Sequence, residues 1–264
     1  MIKLNDNIIS QKHFPDNSLM VKNPYKIAEM NEIYWKYEND SELFTLICLT
    51  KSIREVNKDA RIDLIMKYIP HARMDRVKNP EDIFTLKYFC EIINSLNFNT
   101  VIVLDAHSNV SLGLLDRVFE QKPYNYISDA IYAIPDDIPL LGFYPDEGAM
   151  KRYAFNIGLP FVFGIKKRNW ETGEIEGLEL AGEVDKIKDS NILIIDDICS
   201  KGGTFYHSAK RLKEAGAANI YLNITHCENT IHEGELLKED SLIKHIFTTN
   251  SILTKEHEKI TIVK

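Results

Sequence analysis

The sequence predicts an α/β protein built from two doubly wound, parallel-sheet halves. Short apolar runs recur along it and are each closed by polar or acidic residues. Helical patterns alternate with these runs, as βαβ units require. The alternation occurs twice, on either side of the Ile134-Pro135-Asp136-Asp137 turn. The halves are therefore expected at residues 1–135 and 136–264, with the last residues able to pack back on the first half.

The elements follow in chain order. Residues 41–57 carry Leu43, Ile47, Ile53 and Val56 at helical spacing. Ile62 to Ile69 reads as a strand running into Pro70. Residues 80–97 open on Pro80-Glu81-Asp82, a helix N-terminus, and end near Asn97. Thr100 to Leu104 is a buried strand closed by Asp105. In the second half, Pro139 to Phe143 and Phe161 to Ile165 are strand-like. Asn191 to Ile195 is the clearest buried strand, closed by Asp196-Asp197. A helix from Phe205 to Ala215 ends at Gly216, and Ile220 to Ile224 is a further strand.

Composition narrows the class. The 264 residues are 44% apolar, enough to form a core and too many for a disordered chain. The net charge of −7 argues against a nucleic-acid surface. No apolar run approaches the roughly 18 residues of a membrane span, and the first residues lack a signal-peptide pattern. Cys48, Cys90, Cys199 and Cys227 form no C-x-x-C pair. A reducing cytoplasm is the expected setting.

In open α/β sheets, ligands bind beyond the carboxyl ends of the strands, so the residues after each apolar run are the candidates. Ile192 to Thr204 is the strongest. A buried strand delivers Asp196 and Asp197, and Ser200-Lys201-Gly202-Gly203-Thr204 opens a helix. Glycines let backbone N–H groups converge on an anion, and the helix N-terminus adds positive potential. Acids for hydroxyls beside a cradle for phosphate suit a sugar phosphate; a tight turn with solvated acids is the plain alternative. Asp105-Ala106-His107 follows another strand, where a histidine serves a metal, a phosphate or simply the core. Pro145-Asp146 to Arg152, Lys166-Lys167-Arg168 and Tyr68 to Arg76 stand at further strand ends and are weak one by one.

Together these segments resemble the ribose-phosphate diphosphokinases, in order and spacing, over roughly residues 10–250. Tyr68 to Arg76 resembles that family's Y-[FY]-P-Y-A-R-Q-D-[RK] segment, which implies that Arg73, Asp75 and Arg76 contact ATP. Asp105-Ala106-His107 resembles D-L-H, which implies that His107 serves Mg–ATP. Pro145 to Arg152 resembles P-D-x-G-G-x-x-R, which places Asp146 at the metal and ribose site. Pro160 to Arg168 aligns on the segment ending K-R-R, which implies catalytic cations at Lys166 and Arg168. Asp196 to Thr204 resembles D-D-[ML]-x-D-T-x-G-T. This implies that Asp196 and Asp197 take the ribose hydroxyls and Ser200, Lys201, Gly202, Gly203 and Thr204 the 5-phosphate. Phe14-Pro15-Asp16 resembles F-S-D-G-E, which implies that Phe14 and Asp16 reach the adenine of a neighbouring subunit in a homo-oligomer, a dimer or hexamer. The implied fold is two halves of phosphoribosyltransferase type. The implied reaction is Mg²⁺-dependent transfer of the diphosphate of ATP to ribose 5-phosphate, with no nucleic-acid or membrane partner.

Departures qualify the resemblance. Only 13 residues precede Phe14, so the strand and helix expected there are largely missing. Ser18 stands for a family Glu and Met74 for a Gln. Ser200-Lys201 replaces D-T and makes the loop more positive by two charges, which suits a larger acceptor such as ADP-ribose. Residues 169–177 suit a mobile flap, with a surface β-turn as the alternative. A phosphoribosyltransferase would share the acid pair and phosphate loop but would not need Asp105-Ala106-His107 or Tyr68 to Arg76. A non-catalytic regulatory subunit is disfavoured by the retained Lys166 and Arg168.

Overall fold

The computed structural model describes residues 1–168 and 175–263, with the backbone alone described for Lys166–Arg168, Ile175 and Glu176. The chain divides into two compact units, Met1–Lys122 and Pro123–Lys264.

The first unit opens with β1 (Ile2–Leu4), β2 (Asn7–Ile8), β3 (Ser10–His13), β4 (Leu19–Lys22) and β5 (Met30–Trp35). It continues through α1 (Ser41–Val56), β6 (Arg61–Ile65), α2 (Thr85–Ser95), β7 (Thr100–Leu104), α3 (Asn109–Leu114) and β8 (Val118–Gln121). Its main sheet runs β2-β1-β5-β6-β7-β8, while β3 and β4 form a separate hairpin. Strands β5 to β8 pair in parallel, and β1 and β2 pair antiparallel at one edge. Helix α1 buries Leu46, Leu49 and Ile53 on the sheet, where they meet Ile33, Trp35 and Leu64. Val56, expected on that face, is 71% exposed at the end of the helix.

Two expectations change here. The strand ahead of Phe14 is not missing: Ile2 and Leu4 are fully buried and pair β1 with β5. Helix α2 starts at Thr85 rather than Pro80. The Asp82 carboxylate accepts the backbone N–H groups of Lys78 and Asn79, both at 2.9 Å, and holds that stretch as a turn.

The second unit contains α4 (Tyr124–Ala133), β9 (Leu140–Tyr144), α5 (Glu147–Ile157), β10 (Phe161–Arg168), β11 (Ile175–Gly182), β12 (Asn191–Cys199), α6 (Gly203–Glu214), β13 (Asn219–Cys227), β14 (Ile243–Thr248) and β15 (Ile260–Ile262). Its sheet runs β11-β10-β9-β12-β13-β14-β15, parallel throughout except for β11. Alternate residues of β12 feed two cores. Ile192 and Ile194 join Phe205, Leu212 and Leu222, while Leu193 and Ile195 join Tyr144, Tyr153 and Tyr221. This is the two-faced burial expected of a central parallel strand.

The division falls at 122/123 rather than at the expected 135/136. Helix α4 packs Ile127 and Ala130, and the chain just after it Ile134, with Tyr144 and Tyr153 of the second unit. Strand β12 also runs further than expected. Asp196 and Asp197 lie within it, because pairing with β13 continues to Cys199↔Cys227. The proposed flap falls largely on residues 169–174, outside the described residues.

Candidate functional site

In the second unit, the carboxyl end of β12 brings the acid pair and the glycine-rich loop together. Asp197 is buried. Its backbone N–H donates to Asp196 Oδ1 at 3.0 Å, and its Oδ2 accepts from Arg152 Nη1 of α5 at 3.3 Å. Asp196 sits against that same pair. Burial, the Asp197 charge and the nearby Asp146 charge push the Asp196 carboxyl well above the ordinary carboxylate range. Asp146 caps α5, with Oδ1 accepting the Ala149 N–H at 3.1 Å. Three carboxylates thus gather at the ends of β9 and β12, and Arg152 meets Asp197 there.

The loop from Ser200 to Thr204 leads into α6, whose cap is Gly202 at φ +81°. That left-handed backbone favours glycine, and a Cβ there would overlap the Leu236 side chain. The first turn of a twelve-residue helix leaves unsatisfied N–H groups at this point. Ser200 Oγ lies 3.1 Å from Thr230 Oγ1, and Lys201 Nζ lies 3.0 Å from Glu233 Oε2.

Mg²⁺ takes one or two carboxylates and leaves its other positions to phosphates and water. A carboxylate pair under mutual repulsion, with Asp146 beside it, fits that donor chemistry. Among the described residues, no group of three or more His, Cys, Asp or Glu is placed to cage a metal unaided.

In the first unit, the ends of β6 and β7 converge. His71 adopts φ +62° in the turn after Pro70, and its Nε2 lies 3.1 Å from Asp40 Oδ1. The His71 carbonyl accepts the Met74 N–H at 2.8 Å. This turn presents Arg73, then a buried Asp75 gripped by Arg76 through Nε at 2.7 Å and Nη2 at 3.0 Å. Those hydrogen bonds hold the Asp75 carboxyl below its usual range, and His107 lies close enough to add to the effect. Asp105, almost fully buried at φ +44°, turns the chain out of β7 toward His107. The segments 73–76 and 105–107, remote in sequence, therefore form one cluster.

The remaining candidates lie elsewhere in the chain. Phe14 and Asp16 sit at the tip of the β3–β4 hairpin, with Phe14 half exposed. Asp16 Oδ1 accepts the Ser18 N–H at 2.9 Å and hydroxyl at 2.7 Å, and the hydroxyl bond leads in lowering its pKa. Lys166 and Arg168 lie on β10, opposite Leu178 and Ile175 of β11; their side chains fall outside the described residues.

Asp40, Thr230 and Glu233 were not among the sequence-predicted site residues. Arg152 was marked as a cation of the strand-end segment Pro145 to Arg152, without a stated partner. Thr230 and Glu233 stand just past the end of β13, where the strand-end rule applies, but no local pattern marks them.

No family model matches the chain. The ribose-phosphate pyrophosphokinase of Saccharolobus solfataricus is 26% identical over 261 residues, spanning 96% of this chain and 88% of that protein. That of Thermococcus kodakarensis is 25% identical over 250 residues, spanning 92% and 85%. The crystal structure of phosphoribosylpyrophosphate synthetase from Mycobacterium smegmatis matches with a TM-score of 0.78, covering 97% of this chain and 85% of its own. At 17% identity, that likeness is one of fold.

Proposed function

We propose that the chain is a ribose-phosphate diphosphokinase, like the relatives it matches over most of their length, and that it transfers the diphosphate of ATP to the anomeric hydroxyl of ribose 5-phosphate. The hydroxyl oxygen attacks the β-phosphorus, the bond from that phosphorus to the α,β-bridging oxygen breaks, and AMP leaves. The hydroxyl proton passes to solvent. Phosphoribosyl diphosphate is the second product.

The observation that carries this reading is the end of β12, where an acid pair stands directly before a glycine-turned loop on a helix N-terminus. Asp196 and Asp197 face the ribose 2- and 3-hydroxyls, which need acceptors. Ser200 to Thr204 take the 5-phosphate through loop N–H groups, hydroxyls and Lys201. Arg73, Asp75, Arg76 and His107 take ATP, and Phe14 and Asp16 reach the ATP site of a neighbour in a homo-oligomer. Lys166 and Arg168 neutralise the charge gathered at the reacting phosphorus. His107 and Asp146 would each serve the Mg²⁺ that ATP carries, which would supply charge neutralisation on the phosphate oxygens. A cytoplasmic setting accords with this chemistry, and among the described residues no helix is long and apolar enough to cross a membrane.

Lys201, in place of the family hydroxyl, favours a second reading in which a larger ribose phosphate such as ADP-ribose is the acceptor. The experiment is AMP release from Mg–ATP with each acceptor. AMP that appears only with ribose 5-phosphate is expected. AMP with ADP-ribose alone establishes the second reading, and none with either contradicts both.

A further inference from the structure

The two positions at which the phosphate loop departs from its family are also the two that the segment after β13 engages. Lys201 Nζ meets Glu233 Oε2 at 3.0 Å, with both side chains more than half exposed. One residue earlier, Ser200 Oγ meets Thr230 Oγ1 at 3.1 Å. Thr230 donates its one hydroxyl proton to Glu228 Oε2 at 3.1 Å. Ser200 is therefore the donor to Thr230 and presents only lone pairs to an incoming anion. Two of the side chains that would hold a phosphate, Ser200 and Lys201, are thus engaged by this segment, directly or through one hydroxyl, and each line ends on a glutamate.

The segment is also packed tightly against the loop. The Glu228 N–H donates to the Cys199 carbonyl at 2.8 Å. A Cβ on Gly234 would overlap the Lys201 carbonyl oxygen, and a Cβ on Gly202 would overlap Leu236. The turn Asn229–Glu233 is thus built as a wall of the loop, with Glu233 turned to Lys201, and Glu228, just before the turn, linked to Ser200 through Thr230.

We propose that Glu228 to Glu233 is a counter-anion latch, and that Glu233 is a specificity-determining residue for the acceptor. This rests on the ribose-phosphate reading of the loop. Lys201 leaves one carboxylate charge to meet the ligand. A terminal phosphate monoester, close to −2 at neutral pH, outbids that single charge. In ADP-ribose the two charges are spread over a diphosphate, so the phosphate on the ribose 5-oxygen itself carries only −1 and gains little by the exchange. An exposed ion pair is weak enough to be displaced. The latch therefore passes ribose 5-phosphate and discriminates against an acceptor whose 5-phosphate is substituted. The added positive charge of Lys201 is offset within the fold, which reverses its apparent bias toward ADP-ribose.

Calorimetric titration of ribose 5-phosphate and ADP-ribose onto the full chain tests this, using wild type, E233Q, E233D, K201M and the K201M/E233Q double variant. The latch predicts that E233Q narrows the preference for ribose 5-phosphate by about threefold to fivefold, with unchanged thermal stability. E233D restores the wild-type preference, and E233Q has no effect in the K201M background. An unchanged preference in E233Q, or the same change with and without Lys201, overturns the latch alone. If wild type binds neither acceptor, the reading of the loop fails and the latch fails with it.

Discussion

Asp196 shows the conflict between what the fold tolerates and what the chemistry needs. Its carboxyl is crowded by burial, Asp197 and Asp146, and is held well above the ordinary range. A carboxyl whose folded pKa exceeds its unfolded one costs stability as pH rises from the unfolded value through the folded value. Asn keeps the oxygen that accepts the Asp197 N–H and removes the charge. D196N is therefore expected to be more stable than wild type at pH 7.5 without divalent cations, by about 1 kcal/mol. The stability gap should narrow as pH falls through the raised folded pKa toward the unfolded one, as the Asp196 carboxyl takes up its proton. Thermal unfolding across that pH range in EDTA checks the sign. The same variant should lose most of its turnover, since the amide is a poorer partner for a ribose hydroxyl or a cation. A D196N protein no more stable than wild type at pH 7.5 removes the electrostatic account of this pair.

The loop between β12 and α6 and the turn Asn229–Glu233 behave as a single packed element. Gly234 has no room for a methyl group, because the obstacle is the Lys201 backbone rather than a flexible tip. G234A is expected to cost roughly 1–3 kcal/mol, the usual toll of overpacking. It should raise the KM for ribose 5-phosphate at least tenfold while changing the KM for ATP little. Equal effects on both constants would mean that the turn supports the fold generally rather than the loop. How far the sequence revealed such features depended on their range. Strands β7, β9 and β12 were legible because apolar runs are local, and their ends pointed to Asp105, Asp146 and Asp196. The continuation of β12 through two acids was not, since partner-strand pairing outweighs the polarity of the run. Nor was the start of α2, where the Asp82 turn prevails over a good N-terminal signal. The Ser200–Thr230 and Lys201–Glu233 contacts span about 30 residues and leave no periodic trace.

Across the molecule, the net charge of −7 is a sum over differently placed groups. It excludes a basic surface but says nothing of local sites. In the first unit Arg76 grips Asp75, and in the second Arg152 holds Asp197 and Lys201 holds Glu233. A cation thus meets an acid in each cluster, while the carboxylates gathered at the ends of β9 and β12 add to the acidic total. The two units have separate cores. On the proposed reading, the segments 73–76 and 105–107 of the first would take the nucleotide and Asp146 to Thr204 of the second the sugar phosphate. The central claim of that reading is that one diphosphate group passes intact from ATP to the sugar. Phosphorus NMR of the full chain with Mg–ATP and ribose 5-phosphate tests it directly. The account predicts AMP and a new pair of coupled diphosphate resonances, growing in equal amounts, with no ADP. ADP with a singly phosphorylated sugar product, or free diphosphate with no sugar product, would contradict it.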